Sequence, residues 1–290
     1  MRPAASTRLF TNRLLVPVAE RDGIRIGWAE QGDGVPLVLI TGVGGAGSAW
    51  WRLLRHLPPT VRAITLDNRG TGASDPVAGR FFGLDDLAGD VVAVMDAAGI
   101  ARAHVMGSSL GGIVAQHLAL EHRHRVASLI LASTTGAGFR GGPPWRLLGA
   151  GALRPLVGTA RSEELLASAL YAAATLREHP ERVAEDATVR DAAPLDPRTV
   201  AAQLLAVAPH NALPRLWSLA GMRVTVLHGA QDAVVSPDRA RELAAAIPAA
   251  RLVIIEGCGH AMTTDAEEAT ADAVLEHLAC HGTASSSRAA

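Results

Sequence analysis

The segment AHVMGSSLGG, residues 103–112, decides the fold of this chain. Its first half is apolar and typical of a buried β-strand, whereas the residues that follow have the periodicity of a helix. At the junction Gly107, Ser109 and Gly111 form the pattern G-x-S-x-G, which marks a nucleophilic serine when it joins a strand to a helix. The tight turn that lifts such a hydroxyl above a sheet leaves no room for side chains two positions before or after it. We therefore predict that Ser109 is a nucleophile.

A serine hydroxyl attacks well only when a histidine, oriented by a carboxylate, takes its proton. Of the eleven histidines, His260 lies in the Gly-containing loop IIEGCGH directly after the last predicted strand. That loop should emerge at the same sheet edge as Ser109. Five others fall within or at the ends of predicted helices, namely His56, His122, His124, His277 and His281. We predict that His260 is the general base.

The orienting acid should also follow a strand at this edge. The predicted strand VTVLHG runs into AQDAVVSP, which places Asp232 in the next loop. After the strand at 128–133, the only polar side chains that could compete for this role are hydroxyls, and none is an acid. Asp232 is therefore the best candidate, and the order along the chain is Ser109, Asp232, His260.

From Pro36 onward, β-rich runs alternate with longer helical stretches, which predicts βαβ units and parallel pairing. An N-terminal hairpin around the turn at 21–23 precedes them. The predicted strands are 36–40, 63–66, 103–107, 128–133, 224–228 and 251–255. The predicted helices are 48–57, 84–99, 110–123, 237–247 and 265–280, with an N-cap at Ser236 and a capping box of Thr264 with Glu267. The fold class is thus α/β, with a mostly parallel central sheet and flanking helices.

Residues 136–218 interrupt this alternation. They are rich in Ala, Leu and Arg, open with Gly-Pro punctuation at 141–144 and have helical periodicity. We interpret them as a helical lid over the carboxyl edge of the sheet. We expect residues 1–135 and 219–282 to form the core. Residues 283–290, which are small and polar, are expected to form a disordered tail.

The segment LVLITGVGGAGSAWW, residues 37–51, raises an alternative. Gly42, Gly44 and Gly47 are in G-x-G-x-x-G register behind a predicted strand, and Asp67 follows at the distance of a ribose-binding carboxylate. A dinucleotide and an oxyanion both require glycines, because both need a close approach of the backbone. Against a dinucleotide fold stand the preceding hairpin and a G-x-S-x-G that would have no explanation.

Four motifs together resemble the α/β-hydrolase fold, over most of the chain: G-x-S-x-G, L-H-G-x-x-D at 227–232, G-x-G-H at 257–260, and DNRGTGAS at 67–74. The resemblance implies that the backbone N–H groups of Val43 and Leu110 form an oxyanion hole behind Gly42. It also implies a structural role for Asp67. Many relatives have His-Gly where this chain has Thr41-Gly42, and a threonine could bridge the loops by hydrogen bonding.

Composition limits the possible partners. The formal net charge is −1 and the sequence pI about 6.8, so no broad positive field attracts nucleic acid or an anionic membrane. All 27 basic residues are arginine, which excludes Walker-type and Schiff-base lysines. Cys258 and Cys280 lack zinc-site spacing. No signal-peptide or membrane-spanning run occurs, and we expect a cytoplasmic protein that uses no metal or cofactor and acts on a small molecule.

These observations predict a serine hydrolase acting on an ester or lactone of a small, largely apolar substrate, similar to the 3-oxoadipate enol-lactonase and polyketide methylesterase branches of the family. Hydrolysis of a carbon–carbon bond, or use of peroxide in place of water, would need the same residues. A cyclase, lyase or ligand-binding module on the same fold is a second hypothesis. An NAD-dependent oxidoreductase is the third.

Overall fold

The computed structural model describes residues 16–77, 81–138, 161–193 and 195–279. In these ranges eight strands form one sheet in the order β1-β2-β4-β3-β5-β6-β7-β8. The strands are β1 (Val18–Arg21), β2 (Ile24–Gln31), β3 (Val35–Ile40), β4 (Val61–Leu66), β5 (Ala103–Ser108), β6 (Val126–Ala132), β7 (Val224–Gly229) and β8 (Arg251–Ile255). Each predicted strand is present within two residues of its predicted bounds.

Strands β1 and β2 form the predicted antiparallel hairpin at one edge of the sheet. The turn between them places Asp22 at φ 52° and Gly23 at φ 73°, the left-handed conformations that a two-residue hairpin turn requires. Strand β2 pairs antiparallel with β4. All other pairings, from β4 through β8, are parallel, so the mostly parallel sheet predicted from the alternating pattern is confirmed.

The order in which successive strands are added across the sheet reverses at β3, which pairs parallel with β4 on one side and with β5 on the other. In an open α/β sheet, ligands bind outside the carboxyl ends of the strands at such a switch point. The registers align these ends closely: Ile40 pairs with Gly107, and Ser108 with Ala132. The loops that follow β3, β5 and β6 therefore meet at one place.

Helices cover both faces of the sheet. Those in the described ranges are α1 (Trp51–His56), α2 (Leu84–Ala97), α3 (Leu110–Glu121), α4 (161–170), α5 (Ala173–Glu178), α6 (Pro180–Asp191), α7 (Pro197–Val207), α8 (Pro237–Ala246), α9 (Met262–Asp265) and α10 (Glu267–Ala279). Buried residues of α2, α3 and α8 pack in one apolar cluster, and those of α1, α9 and α10 in another. The sheet is consequently buried on both sides, as the continuous apolar runs of its central strands require.

The two helix starts that were predicted differ in outcome. The Ser236 hydroxyl accepts the N–H of Asp238 at the start of α8, as expected of an N-cap. The capping box at Thr264 is wrong, because Thr264 lies inside α9 and its hydroxyl donates instead to Asp186 of α6, at 2.5 Å. A contact with a distant helix replaces the local cap.

The segment between β6 and β7 that was predicted as a lid (residues 136–218, hereafter the insertion) contains four helices, α4 to α7, in its described part. Arg52 of α1, 3% exposed, binds α6 through Asp186 at 3.0 Å and Glu185 at 2.8 Å. Because a buried guanidinium needs such partners, this contact fixes α6 to the core. The Gly-Pro punctuation at 141–144 and the tail at 283–290 lie outside the described residues. Covering of the site by the insertion remains a prediction.

None of the helices in the described parts of the chain combines the length and hydropathy needed to cross a bilayer.

We expect stability to fall with acid because of His210, which follows α7. Burial, helped by the nearby His117, lowers the pKa of His210 from 6.5 to about 4. Below pH 6.5 the unfolded chain therefore takes up a proton that the folded chain refuses, so stability is lost as the pH falls towards 4. The full effect is on the order of 3 kcal/mol.

Denaturant unfolding at several pH values measures this effect. A His210→Phe variant, which cannot take up the proton, should lose less stability than wild type between pH 7 and pH 4. If the free energy of unfolding fell equally with pH in the two proteins, the prediction would be contradicted.

Candidate active site

Ser109 occupies a strained turn between β5 and α3. Its φ is 55° and its ψ −119°, a conformation that costs a non-glycine residue energy and that clusters at functional sites. A Cβ atom on Gly107 would lie 2.1 Å from the carbonyl oxygen of Gly111, and one on Gly111 would lie 2.1 Å from that of Ile40. The structure thus shows the lack of space on both sides of the serine that the sequence motif predicts.

Asp232 and His260, which are distant in sequence, are hydrogen-bonded to each other. Asp232 follows β7, His260 follows β8, and the Asp232 Oδ2 atom lies 2.8 Å from His260 Nδ1. Both residues are buried, at 6% and 8% exposure. Since Nδ1 faces the carboxylate, the opposite ring nitrogen, Nε2, is left for a substrate or a nucleophile.

Two hydroxyl residues after β6 connect the serine to the histidine. Ser133 donates to the backbone carbonyl of His260 at 3.0 Å, and Thr134 donates to that of Ser109 at 2.7 Å. The N–H of Ser109 donates to the Ala132 carbonyl at 2.9 Å. Ser109 and His260 are therefore attached to consecutive residues of one segment. Sequence analysis noted these hydroxyls but assigned them no role.

The carboxylate of Asp232 is stabilised as an anion. Its Oδ1 atom accepts the N–H groups of Val234 and Val235, both at 2.8 Å. Burial alone raises the pKa of Asp232, but the charge and hydrogen bond of His260 outweigh burial, and the net pKa lies below its usual value. Asp232 therefore stays charged across the neutral range and favours a proton on His260 Nδ1.

A second histidine, His228 at the end of β7, also contacts Asp232. Its Nε2 lies 2.9 Å from the Val235 carbonyl and 3.3 Å from Asp232 Oδ2. Because a carbonyl only accepts, Nε2 carries the hydrogen. Burial lowers the pKa of His228 despite the attraction of Asp232, so the ring is neutral, donates its hydrogen to the Val235 carbonyl and lies beside the Asp232 carboxylate. Sequence analysis quoted this residue in L-H-G-x-x-D and gave it no function.

The glycine-rich loop after β3 passes beside the serine. A Cβ atom on Gly42 would lie 3.2 Å from Ser109 Cβ and 3.7 Å from its Oγ. The hydrogen bonds of the described residues engage the N–H groups of Ser109 and Gly112 but not those of Val43 and Leu110. Within the described residues, one N–H next to Ser109 and one in the loop after β3 are therefore available as donors, and an oxyanion hole requires such a pair.

The family assignment comes from comparison with known proteins. A family model described as the alpha/beta hydrolase fold matches residues 35–265. The chain belongs to the α/β-hydrolase fold family. The mostly parallel sheet with its flanking helices is thus that of a known fold.

Individual members of the α/β-hydrolase family resemble this chain to different extents. A 102-residue stretch, 35% of the chain, is 39% identical to 38% of the length of a putative carbamate hydrolase, RutD, from Variovorax paradoxus. A putative non-heme bromoperoxidase, BpoC, from Mycobacterium tuberculosis is 30% identical over 264 residues, 88% of this chain and 98% of that protein. The solved structure of an N-acyl homoserine lactone degrading enzyme superposes on this chain with a TM-score of 0.76 and 29% sequence identity. The alignment covers 90% of this chain and 99% of that enzyme.

Asp67, which suggested a dinucleotide site, and Thr41, which replaces the histidine of many relatives, have structural roles in this α/β-hydrolase fold. Asp67 accepts the N–H groups of Gly47 and Ala73, both at 2.7 Å, so each of its oxygens already holds a backbone group. Thr41 Oγ1 donates to the Gly45 carbonyl of its own loop at 2.8 Å and accepts from Asn68 Nδ2, in the turn after β4, at 3.3 Å. The structural role predicted for Asp67 and the bridging role of Thr41 are both confirmed.

The described residues contain no group of three His, Cys, Asp or Glu side chains that could hold a metal ion. Cys258 is a free, fully buried thiol, and burial raises its pKa, which makes it unreactive. The candidate groups for chemistry at this site are a hydroxyl, an imidazole, a carboxylate and backbone N–H donors.

Proposed function

We propose that the protein is a serine hydrolase that cleaves an ester or lactone of a small, largely apolar substrate through an acyl-enzyme on Ser109. The observation that carries this proposal is the 2.8 Å bond between Asp232 Oδ2 and His260 Nδ1. Because this bond occupies Nδ1, Nε2 remains available to the hydroxyl of Ser109, whose strained turn follows a strand of the same sheet. Such an arrangement supplies nucleophile, base and orienting acid.

The reaction would proceed in two halves. Ser109 Oγ attacks the carbonyl carbon while His260 takes the hydroxyl proton, and the N–H groups of Val43 and Leu110 bind the resulting oxyanion. The tetrahedral intermediate collapses, and His260 gives its proton to the leaving oxygen. Water, deprotonated by His260, then attacks the acyl-enzyme and releases the carboxylic acid and Ser109. In a lactone the leaving alcohol stays attached to the acid.

The substrate class rests on the surroundings of the loop after β3. Side-chain carbons of Leu195 and Val200 would lie 2.8 and 3.6 Å from a Cβ atom on Gly44, so the insertion presents an aliphatic wall there. The net charge of −1 provides no strong field for a charged substrate. The similar proteins named above include one that degrades N-acyl lactones and one described as a carbamate hydrolase, which supports acyl-group hydrolysis.

A peroxide-dependent reaction is the second candidate, favoured by the 30% identity to a putative non-heme bromoperoxidase along nearly its whole length. The same acyl-enzyme would be attacked by peroxide in place of water, giving a peracid. The catalytic groups would be unchanged. Addition of hydrogen peroxide to the ester assay, with peracid as the measured product, distinguishes the two outcomes.

The proposal is tested with a fluorophosphonate and a substrate panel. We expect the probe to label the tryptic peptide 103–123 at Ser109, because a phosphonate reacts only with an activated serine. A Ser108→Ala variant should label equally, since its neighbour is the nucleophile. p-Nitrophenyl esters of increasing chain length and N-acyl homoserine lactones should be hydrolysed, and labelling by the probe should abolish turnover. Absence of both labelling and turnover would contradict a hydrolase and favour a non-hydrolytic role.

A further inference from the structure

A side chain from the insertion is hydrogen-bonded to the loop that is proposed to bind the oxyanion. Gln203, in the middle of α7, accepts the N–H of Gly44 on its Oε1 atom at 2.8 Å. The side chain is fully buried. Its Nε2 atom donates to the Arg69 carbonyl at 3.4 Å, so the amide links the loop after β3 to the turn after β4.

Gly44 is a point where this loop can be deformed at little cost. Its φ of 69° belongs to a region that glycine enters and leaves at little cost. The neighbouring parts of the loop are held by the core, where Thr41 Oγ1 binds the Gly45 carbonyl and Asp67 binds the Gly47 N–H. Gly44 is instead held by Gln203, from a helix outside the sheet.

We propose that Gln203 is a positioning residue that fixes the oxyanion-binding N–H of Val43 by holding the next peptide group. The N–H of Gly44 belongs to the peptide plane between Val43 and Gly44, so its hydrogen bond restricts ψ of Val43 and with it the direction of the preceding N–H. This inference rests on the proposed hydrolase function. Oxyanion donors must be aligned before the reaction, because reorganisation during it costs free energy.

The chemistry of the contact suits an amide better than other side chains. An acceptor is required by the Gly44 N–H, and a carboxylate in the same buried place would add the cost of burying a charge. An apolar side chain of the same length would leave the N–H without an acceptor, which costs free energy. That cost would be relieved by rotation of the peptide, which is the movement that misplaces Val43.

The same helix provides a matched control. Thr199, one turn before Gln203, is also fully buried, and its hydroxyl donates to the Gly70 carbonyl at 3.2 Å. A Thr199→Val variant removes a hydrogen bond between α7 and the core while keeping the shape of the side chain. It does not touch the loop after β3, so it reports the effect of loosening α7 alone.

The test compares wild type with Gln203→Met, Gln203→Glu and Thr199→Val in ester hydrolysis and in hydrogen exchange at the Gly44 amide. For Gln203→Met we expect kcat to fall about tenfold with KM within twofold of wild type, because the oxyanion forms only in the transition state. Exchange at Gly44 should accelerate at least tenfold. Gln203→Glu keeps an oxygen acceptor in either protonation state and should retain most of kcat. Thr199→Val should match wild type in both measurements.

The outcomes separate this inference from the proposed function. A wild type that hydrolyses no ester and takes no fluorophosphonate overturns the function, and the inference with it. An active wild type with unchanged kcat in Gln203→Met overturns the inference alone. Equal losses in Thr199→Val and Gln203→Met, or a rise in KM in place of a fall in kcat, would show that Gln203 only attaches the helix. If Gln203→Met does not fold, a loss of kcat in Gln203→Glu as large as tenfold overturns the proposal.

Discussion

Replacement of Ser109 by alanine is expected to lower kcat for ester hydrolysis by about a million-fold. Without the hydroxyl no acyl-enzyme forms, and His260 has no proton to take. The residual rate would come from backbone donors and substrate binding, as it does in known serine hydrolases. The fold should persist, because the alanine methyl group would occupy the space of the serine Cβ atom in the turn between Gly107 and Gly111. Steady-state kinetics and denaturant unfolding measure the two quantities.

The control for this variant is Ser108→Ala, which removes the adjacent hydroxyl. Ser108 has Met106 and Leu110 two positions before and after it, so it does not meet the steric rule of the turn. Its loss should change kcat by less than about tenfold, well below the loss expected at Ser109. Full turnover by Ser109→Ala, or loss of activity in Ser108→Ala alone, would refute the assignment of the nucleophile.

Replacement of Asp232 by asparagine is expected to lower kcat about ten-thousand-fold, with little change in structure. The asparagine oxygen would take over the N–H groups of Val234 and Val235, which bond Oδ1 at 2.8 Å. Its NH₂ group would then face His260 Nδ1 and donate to it, so the histidine would carry its hydrogen on Nε2. A histidine in that tautomer cannot accept the proton of Ser109.

The kinetic effect of Asp232→Asn is compared with Asp238→Asn, which makes the same change of charge at an exposed position of α8 where the side chain is 86% exposed. Asp238→Asn should retain wild-type kcat, since it acts only through a screened surface charge. Fluorophosphonate labelling should slow in Asp232→Asn in parallel with kcat. An Asp232→Asn enzyme within tenfold of wild type would show that the carboxylate does not set the tautomer of His260.

Much of the fold could be predicted from local patterns. The strands between residues 36 and 255 are recognisable because each is a short apolar run bounded by turn residues, and their alternation with helices implies parallel pairing. The positions of Ser109, Asp232 and His260 follow from the same pattern, since each comes directly after a strand. The glycines around Ser109 are a steric requirement of a single turn, and they can be recognised because they lie close to Ser109 in the sequence.

The errors and omissions concern contacts between distant residues. Thr264 has the local sequence of a helix cap, yet its hydroxyl bonds Asp186, 78 residues away. The contact of Ser133 with His260 depends on β6 and β8, which lie on either side of β7, ending at the same level, which no single run of residues encodes. His228 is an exception, because it contacts Asp232 only four residues further along the chain. Gln203 in α7 looks like any helical residue until α7 is placed against the loop after β3.

The sequence by itself determined the order of the strands along the chain, the strained turn at Ser109 and the three candidate catalytic positions, because periodicity and steric rules act over a few residues. Only the tertiary structure decided which hydrogen bonds hold those positions: Asp232 to His260, Ser133 to the histidine loop, and Gln203 to Gly44. Their geometry depends on how strand ends and helices pack in space. That packing is a collective property of the whole core.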